Sequence, residues 1–495
     1  MRVFDFWRHW NVLENPFSAE EATDDPVFLR LLSEESTHPD FAKIYGTPEH
    51  PSSAIVFGEK GSGKTALRLT MEKQYALHNE SSDKQRVWVV RYDDQNAALD
   101  TFASRYKEEN PLRHMRLEDH QDAMLALAVT KLVDTLMGER PELPGFSRMR
   151  RRVKRMNRRK RLGLCLLSAL YDQPNSLTDQ RFERLRKLAR IQTMQVAEWV
   201  AAGLFALIGA LLLLFGDSLE MPRWVSLAVG GIGLVGAALL VLLQGAEFFR
   251  TQTLAARLRR EIKTVSHTTA DLARKLRLIG RTRSAGIALP MPGDHDSRYE
   301  LNRFLLAILE EFGYSGMVVL VDRVDEPAMI NGDAQKMKEL VWPMLNNKFL
   351  QQQHIGIKLL LPIELRYLVH RESEDFYMKA RLDKQCMIDR LAWSGSALYD
   401  LANMRLKACC EKGEQSVVLS DFFDDDVVLQ DVLDALGQMQ QPRDAFKLLY
   451  QVVHEHCSYT PNEDPVWKIP RLTLAQVSKN QARRLNDMQR GLQPA

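Results

Sequence analysis

The octapeptide GEKGSGKT at residues 58–65 constrains this chain more than any other stretch. It reads Gly58-x4-Gly63-Lys64-Thr65 and sits between a β-prone run, SSAIVF at 52–57, and a helically spaced run that begins at Ala66. A strand, a glycine loop and a helix in that order predict a loop whose backbone N–H groups cradle phosphate, with the positive helix end behind them. Gly58, Glu59, Lys60, Gly61, Ser62, Gly63, Lys64 and Thr65 are then the expected nucleotide-binding residues. Lys64 would reach the β- and γ-phosphates, and the Thr65 hydroxyl would hold Mg²⁺. The expected fold is α/β with a mostly parallel sheet.

A partner motif follows far downstream in MVVLVDRVDE, residues 317–326. The apolar run describes a buried parallel strand and puts Asp322 at its C-terminal tip, where open α/β sheets bind their ligands. Asp322 is therefore expected to bind Mg²⁺, directly or through water. Asp325 and Glu326 come next, and either can orient and deprotonate an attacking water. Each taken singly also reads as a solvated helix cap. QRVWVVRY at 85–92 and IKLLLP at 357–362 supply further strands. Residues 118–138 and a stretch around 299–312 have helical spacing, and most of 375–455 is helical in pattern.

Between the two motifs the chain changes character. Trp199–Gly216 is eighteen residues without a charge, and Trp224–Leu243 is twenty more. Each run could cross about 30 Å of hydrocarbon at about 1.5 Å per residue. The joining residues 217–223 and the tryptophans at 199 and 224 suit a membrane hairpin with interfacial anchors. Arg250, Arg257, Arg259, Arg260 and Lys263 follow the second run, and the joining turn holds only Arg223 among basic residues. That asymmetry predicts a two-span protein of the cell membrane with both termini in the cytoplasm. GGIGLVG at 230–236 carries a formal GxGxxG, but inside an apolar helix its glycines read as a close-packing face between the two runs or between subunits.

The overall charge hides a local excess. There are 67 basic and 64 acidic residues, yet RMRRRVKRMNRRKR at 148–161 holds ten Arg or Lys in fourteen positions. Three readings stand open: an anionic-lipid patch, a nucleic-acid surface, and a solvated cluster that sets orientation. No aromatic residue interleaves the run, so base stacking is not indicated. Five scattered cysteines without a CxxC pair read as reduced thiols, and the N-terminus lacks the apolar core of a cleavable signal peptide.

Taken together, GxxxxGKT and VDRVDE resemble the STAND and AAA+ branch of P-loop ATPases. A membrane hairpin between the two motifs resembles the KAP-type P-loop NTPases over roughly residues 50–450, although VDRVDE departs from their hhhDDLDR pattern. The resemblance implies ATP and Mg²⁺ as cofactors and hydrolysis with Asp325, Glu326, Lys64 and Arg443 as catalytic residues. Arg443 enters as the sensor arginine of QPRDAFKLLY at 441–450, and NPF at 15–17 as a lead-in that covers adenine. Arg366, Arg371 and Arg390 are candidate fingers toward a neighbouring subunit or ordinary lid arginines, and Trp393 is expected in the lid core. The implied layout is a lead-in over 1–50, a first half over 51–145 and an insertion over 146–285. A second half over 286–372, a helical lid over 373–455 and a tail over 456–495 complete it.

Three activities fit this layout. One is an ATP-driven switch or assembly device, which the resemblance links to prokaryotic defence or stress signalling, that forms a homo-oligomer and answers an unknown protein trigger. The second is a motor on nucleic acid or protein at the membrane. The third is a non-catalytic, ATP-bound membrane effector or pore.

Overall fold

The computed structural model describes residues 1–18, 21–34, 38–138, 146–173, 178–191, 195–215, 222–280, 286–291, 296–410 and 417–489. These residues form two compact units, one of Met1–Gln95 with Ser315–Ala495 and one of Asn96–Tyr314. Residues 51–95 of the expected first half fall in the first of these units and residues 96–145 in the second.

The first unit is built on a five-stranded sheet. Its strands are β1 (Ala54–Gly58), β2 (Arg86–Tyr92), β3 (Tyr314–Val321), β4 (Ile355–Pro362) and β5 (Cys386–Ile388), in the order β2-β3-β4-β1-β5. β4 runs parallel to both β1 and β3, and β5 runs parallel to β1. Every residue of β1 and β4 is buried, as strands covered on both faces require. The exception in character is Lys358, whose buried ammonium donates to the Ile44 carbonyl at 2.6 Å and is held down at about 8 by burial. It caps the C-terminal end of the short helix Phe41–Tyr45 and so fastens the lead-in to the sheet.

Lead-in, lid and tail share one core rather than forming three separate pieces. Phe6, Trp7 and Phe17 pack with Leu398, Leu406, Phe422, Phe446 and Leu449, and Ile469 and Val477 of the tail join them. Phe17 of the NPF sequence stacks on Phe446 at 5.9 Å between ring centroids. The helix Pro442–Tyr459 starts with proline at its first turn, where the missing N–H costs nothing.

The second unit is helical. The helix Leu117–Met137 packs with Arg158–Tyr171, and both adjoin Ser297–Glu310. Its centre is polar but closed: Asp122 accepts from Tyr171 Oη at 2.7 Å and from Arg298 Nη2 at 3.1 Å. The basic run spans two helices, Phe146–Arg155 and Arg158–Tyr171, and Asn157 caps the second through Lys160 N–H at 2.8 Å. Met149, Val153 and Met156 are buried, at positions four and three apart, while Arg150, Arg151, Lys154 and Arg155 face outward.

The apolar runs form Gln195–Phe215 and Arg223–Glu261, the latter an uninterrupted helix of 39 residues. Among the described residues one helix, over Leu227–Glu261, is long and apolar enough to cross a membrane; the apolar part of the other, Val200–Leu214, is shorter. Of the expected joining residues, 217–221 lie outside the described ones. Leu207, Leu214, Ile232, Val235 and Leu242 are exposed, a contiguous apolar display unusual for a water-covered surface. The two helices approach closely at Gly209, Gly230 and Gly233: a methyl at Gly230 would stand 2.9 Å from the Gly209 carbonyl oxygen. Gly231 and Gly236 meet nothing within 4 Å, so only part of the glycine-rich face is used between these helices.

Candidate functional site

The site belongs to the sheet unit and begins where β1 ends. The loop from Gly58 needs left-handed backbone at Gly61 (φ 97°) and Gly63 (φ 93°), conformations that glycine adopts without a Cβ penalty. At Gly61 a side chain would also meet Arg443 Cβ at 3.0 Å. The helix Lys64–Ser81 then starts at Lys64, whose ammonium donates to the carbonyls of Gly58 at 2.8 Å and Glu59 at 2.9 Å. Burial holds Lys64 below the ordinary lysine range. Asp322, Asp325 and Glu364 act against that, and the Arg443 charge adds to it.

The second part is the turn after β3. Asp322 is 1% exposed and accepts from Arg68 Nε at 3.2 Å. Arg323 then takes a left-handed conformation (φ 58°), strained for a residue with a side chain, and the chain reverses. Asp325 and Glu326 emerge half-buried and exposed, and Arg323 reaches Glu326 at 3.4 Å. Burial raises the Glu326 carboxyl above its usual range. Asp325 and Asp322 add to that rise, while Arg323 opposes it.

Loop and turn face a cavity of about 530 Å³, within the size range of small-molecule sites. Gly61, Lys64 and Thr65 line one side, and Asp325, Glu326 and Arg443 also border it. The donor set fits a nucleotide triphosphate with a hard cation: two side-chain cations, a hydroxyl, backbone of a helix start, and oxygen ligands across from them. Among the described residues no group of three or more His, Cys, Asp or Glu is arranged to hold a metal by itself. A magnesium site completed by phosphate oxygens does not require one.

The lid is fastened to the loop through groups for which the sequence reading had other roles. Glu59 takes Arg390 at 2.6 Å and also Gln441 Nε2, which caps no backbone group. Trp393, expected as lid core, is half-buried and donates its indole N–H to the Ser62 carbonyl at 2.9 Å. Of the candidate fingers, Arg390 is thus engaged within the chain, Arg366 pairs with Asp389 at 2.9 Å, and Arg371 is exposed. At the far end of the cavity buried Arg405 pairs with Asp25 at 2.6 Å and donates to the Pro16 carbonyl at 2.6 Å, below the ring of Phe446.

Arg68 is the site residue that sequence reasoning missed. It lies four positions after Lys64 in an ordinary helical pattern, and its partners Asp93 and Asp322 come from strand ends 25 and 254 positions away. No protein-family model matches this chain, and no curated protein matches it.

Proposed function

We propose that the sheet unit binds ATP with Mg²⁺ and hydrolyses it, and that the chain is a membrane-anchored P-loop ATPase similar to the KAP type. The observation that carries this reading is one cavity in which Lys64, Thr65 and Arg443 meet Asp325 and Glu326. Lys64 and Arg443 would bind the phosphate charge from two sides. Thr65 and a carboxylate of the turn 322–326 would hold Mg²⁺, which neutralises phosphate charge and orients the nucleotide when bound. Glu326, with its carboxyl pKa raised by burial, suits a group that takes a proton from water. Gly61, Ser62 and Glu59 join the lid through Arg443 N–H, Trp393 and Gln441, so a change at the phosphates has a direct path to the lid. That coupling supports a switch or assembly device working as a homo-oligomer.

The proposed anchor is the helix pair of the second unit, whose exposed apolar surface suits lipid. The basic face of Phe146–Arg155, held by buried Met149 and Val153, would meet anionic headgroups on the cytoplasmic side. Turnover of ATP by the detergent-purified protein tests the reading, beside Lys64→Ala and Asp325→Asn with Glu326→Gln. Loss in both variants supports it; turnover unchanged in Lys64→Ala overturns it. Carbonate-resistant membrane association tests the anchor, and stimulation by DNA would reassign the basic face to nucleic acid.

A further inference from the structure

The turn after β3 offers three carboxylates, and they do not stand in equivalent places. Asp322 is already balanced inside the protein. Arg68 is 3% exposed, and its guanidinium spans Asp322 Oδ2 at 3.2 Å, Asp93 Oδ2 at 3.1 Å and Glu72 Oε2 at 3.7 Å. The Asp322 N–H also donates to the Tyr92 carbonyl at 3.4 Å, so backbone and side chain alike are tied to the end of β2. Asp322 is not among the residues that line the cavity.

Asp325 is the opposite case. It lines the cavity and, among the described residues, its carboxylate has no ion-pair partner. Its carbonyl accepts from Gly332 N–H at 2.9 Å, which fixes the backbone that carries it. Glu326 also lines the cavity but leans on Arg323 at 3.4 Å. A divalent cation brought to Asp322 would stand within a few ångströms of the Arg68 guanidinium and be repelled in a poorly screened interior. At Asp325 it would meet a cavity-facing carboxylate that no guanidinium clamps, with the Lys64 charge as a cationic neighbour.

Resting on the nucleotide reading above, we infer that the turn divides two tasks usually expected of one residue. Asp325 presents the metal-facing carboxylate, and Asp322 is a positioning residue, pinned by Arg68, that holds the turn in place. Left-handed Arg323 is the pivot that sends Val324 into the core and Asp325 to the cavity wall.

The test is ATP binding by the full chain in detergent, first in EDTA and then over a Mn²⁺ titration, with metal binding followed by electron paramagnetic resonance. Asp325→Asn should raise the Mn²⁺ requirement by more than about a hundredfold, beyond the range for lost supporting contacts. Arg68→Met with Asp322→Asn should raise it by only about tenfold, as loss of a supporting contact does. An effect of the double variant equal to or larger than that of Asp325→Asn overturns the inference. Should the double variant fail to fold, Arg68→Lys takes its place. A shift smaller than that of Asp325→Asn supports the inference, and no shift, or an equal one, overturns it. A wild type that binds no ATP in either condition, like Lys64→Ala, overturns the nucleotide reading itself and the inference with it.

Discussion

Each unit of this chain buries an arginine against carboxylates, and the two clusters have different surroundings. In the helical unit Arg298 and Asp122 are 3% and 0% exposed, with Tyr171 completing the set. In the sheet unit Arg68 and Asp322 are as deeply buried, but the further partners Asp93 and Glu72 keep 26% and 21% of their side chains in solvent, and the next carboxylates along the turn line a cavity. The first cluster is closed on itself and holds helices together. The second stands behind a wall whose carboxylates, Asp325 and Glu326, face a cavity. A buried ion pair is thus a poor marker of function by itself, because desolvation makes such pairs costly wherever they occur. The cavity beside it makes the difference.

The largest expected effect lies at that wall. Asp325→Asn with Glu326→Gln should lower ATP turnover by about 10²- to 10⁴-fold while ATP still raises the unfolding temperature. Steady-state turnover and thermal unfolding with and without ATP measure the two halves. If the substitutions leave turnover intact, the wall is not catalytic and the contrast between the clusters fails.

The closed cluster should dominate stability. Arg298→Met leaves Asp122 buried without its cation and should cost about 3–5 kcal/mol. Arg68→Met also leaves Asp322 buried without its cation but frees Asp93 and Glu72 to turn to water, and should fall at the low end of that range, about 3 kcal/mol. Denaturant unfolding of each variant ranks them, and a reversed ranking would break the comparison.

The helical unit should also respond to acid. Burial holds His267 down at about 4, and the nearby Lys275 charge adds to that, while its Nε2 sits 3.0 Å from the Leu170 carbonyl. A depressed pKa means that the folded state resists protonation, so its stability is present above about 6.5 and lost as pH falls toward 4. Between pH 7 and 5 the wild type should therefore lose about 2 kcal/mol that His267→Gln does not lose. Asp119 and Asp172, both raised to about 6 by burial, shift the opposite way and cancel in that difference. Paired unfolding curves at the two pH values measure it.

The smallest effect concerns the apolar helices. Gly233→Val would press a side chain toward the Phe205 carbonyl oxygen, 3.1 Å from its Cβ, and should weaken the pair by about 1–2 kcal/mol. Gly231→Ala, in open space, should be silent. Cysteine cross-linking between the two helices would separate the cases.

Local pattern carried much of this molecule. The glycine loop, the first four strands and the helix start at Pro442 are each legible within about ten residues, because propensity and burial agree there. β5 was not legible: Cys-Met-Ile is three residues long and owes its place to β1. The clamp of Arg68 was hidden for another reason. Its partners are brought together by the sheet, and nothing near Arg68 in the chain announces them. Trp393 packs partly buried against the lid core as expected, but its second role, donating its N–H to the Ser62 carbonyl, was not legible in the sequence.

The central claim is that the cavity beside Gly58–Thr65 takes a nucleotide through Lys64. The most direct measurement is the unfolding temperature of the full chain in detergent, with and without Mg²⁺ and ATP, for wild type and Lys64→Ala. Stabilisation by ATP that follows its concentration in the wild type and disappears in Lys64→Ala is the predicted result. Equal stabilisation of both proteins, or none in the wild type at millimolar ATP, would contradict it.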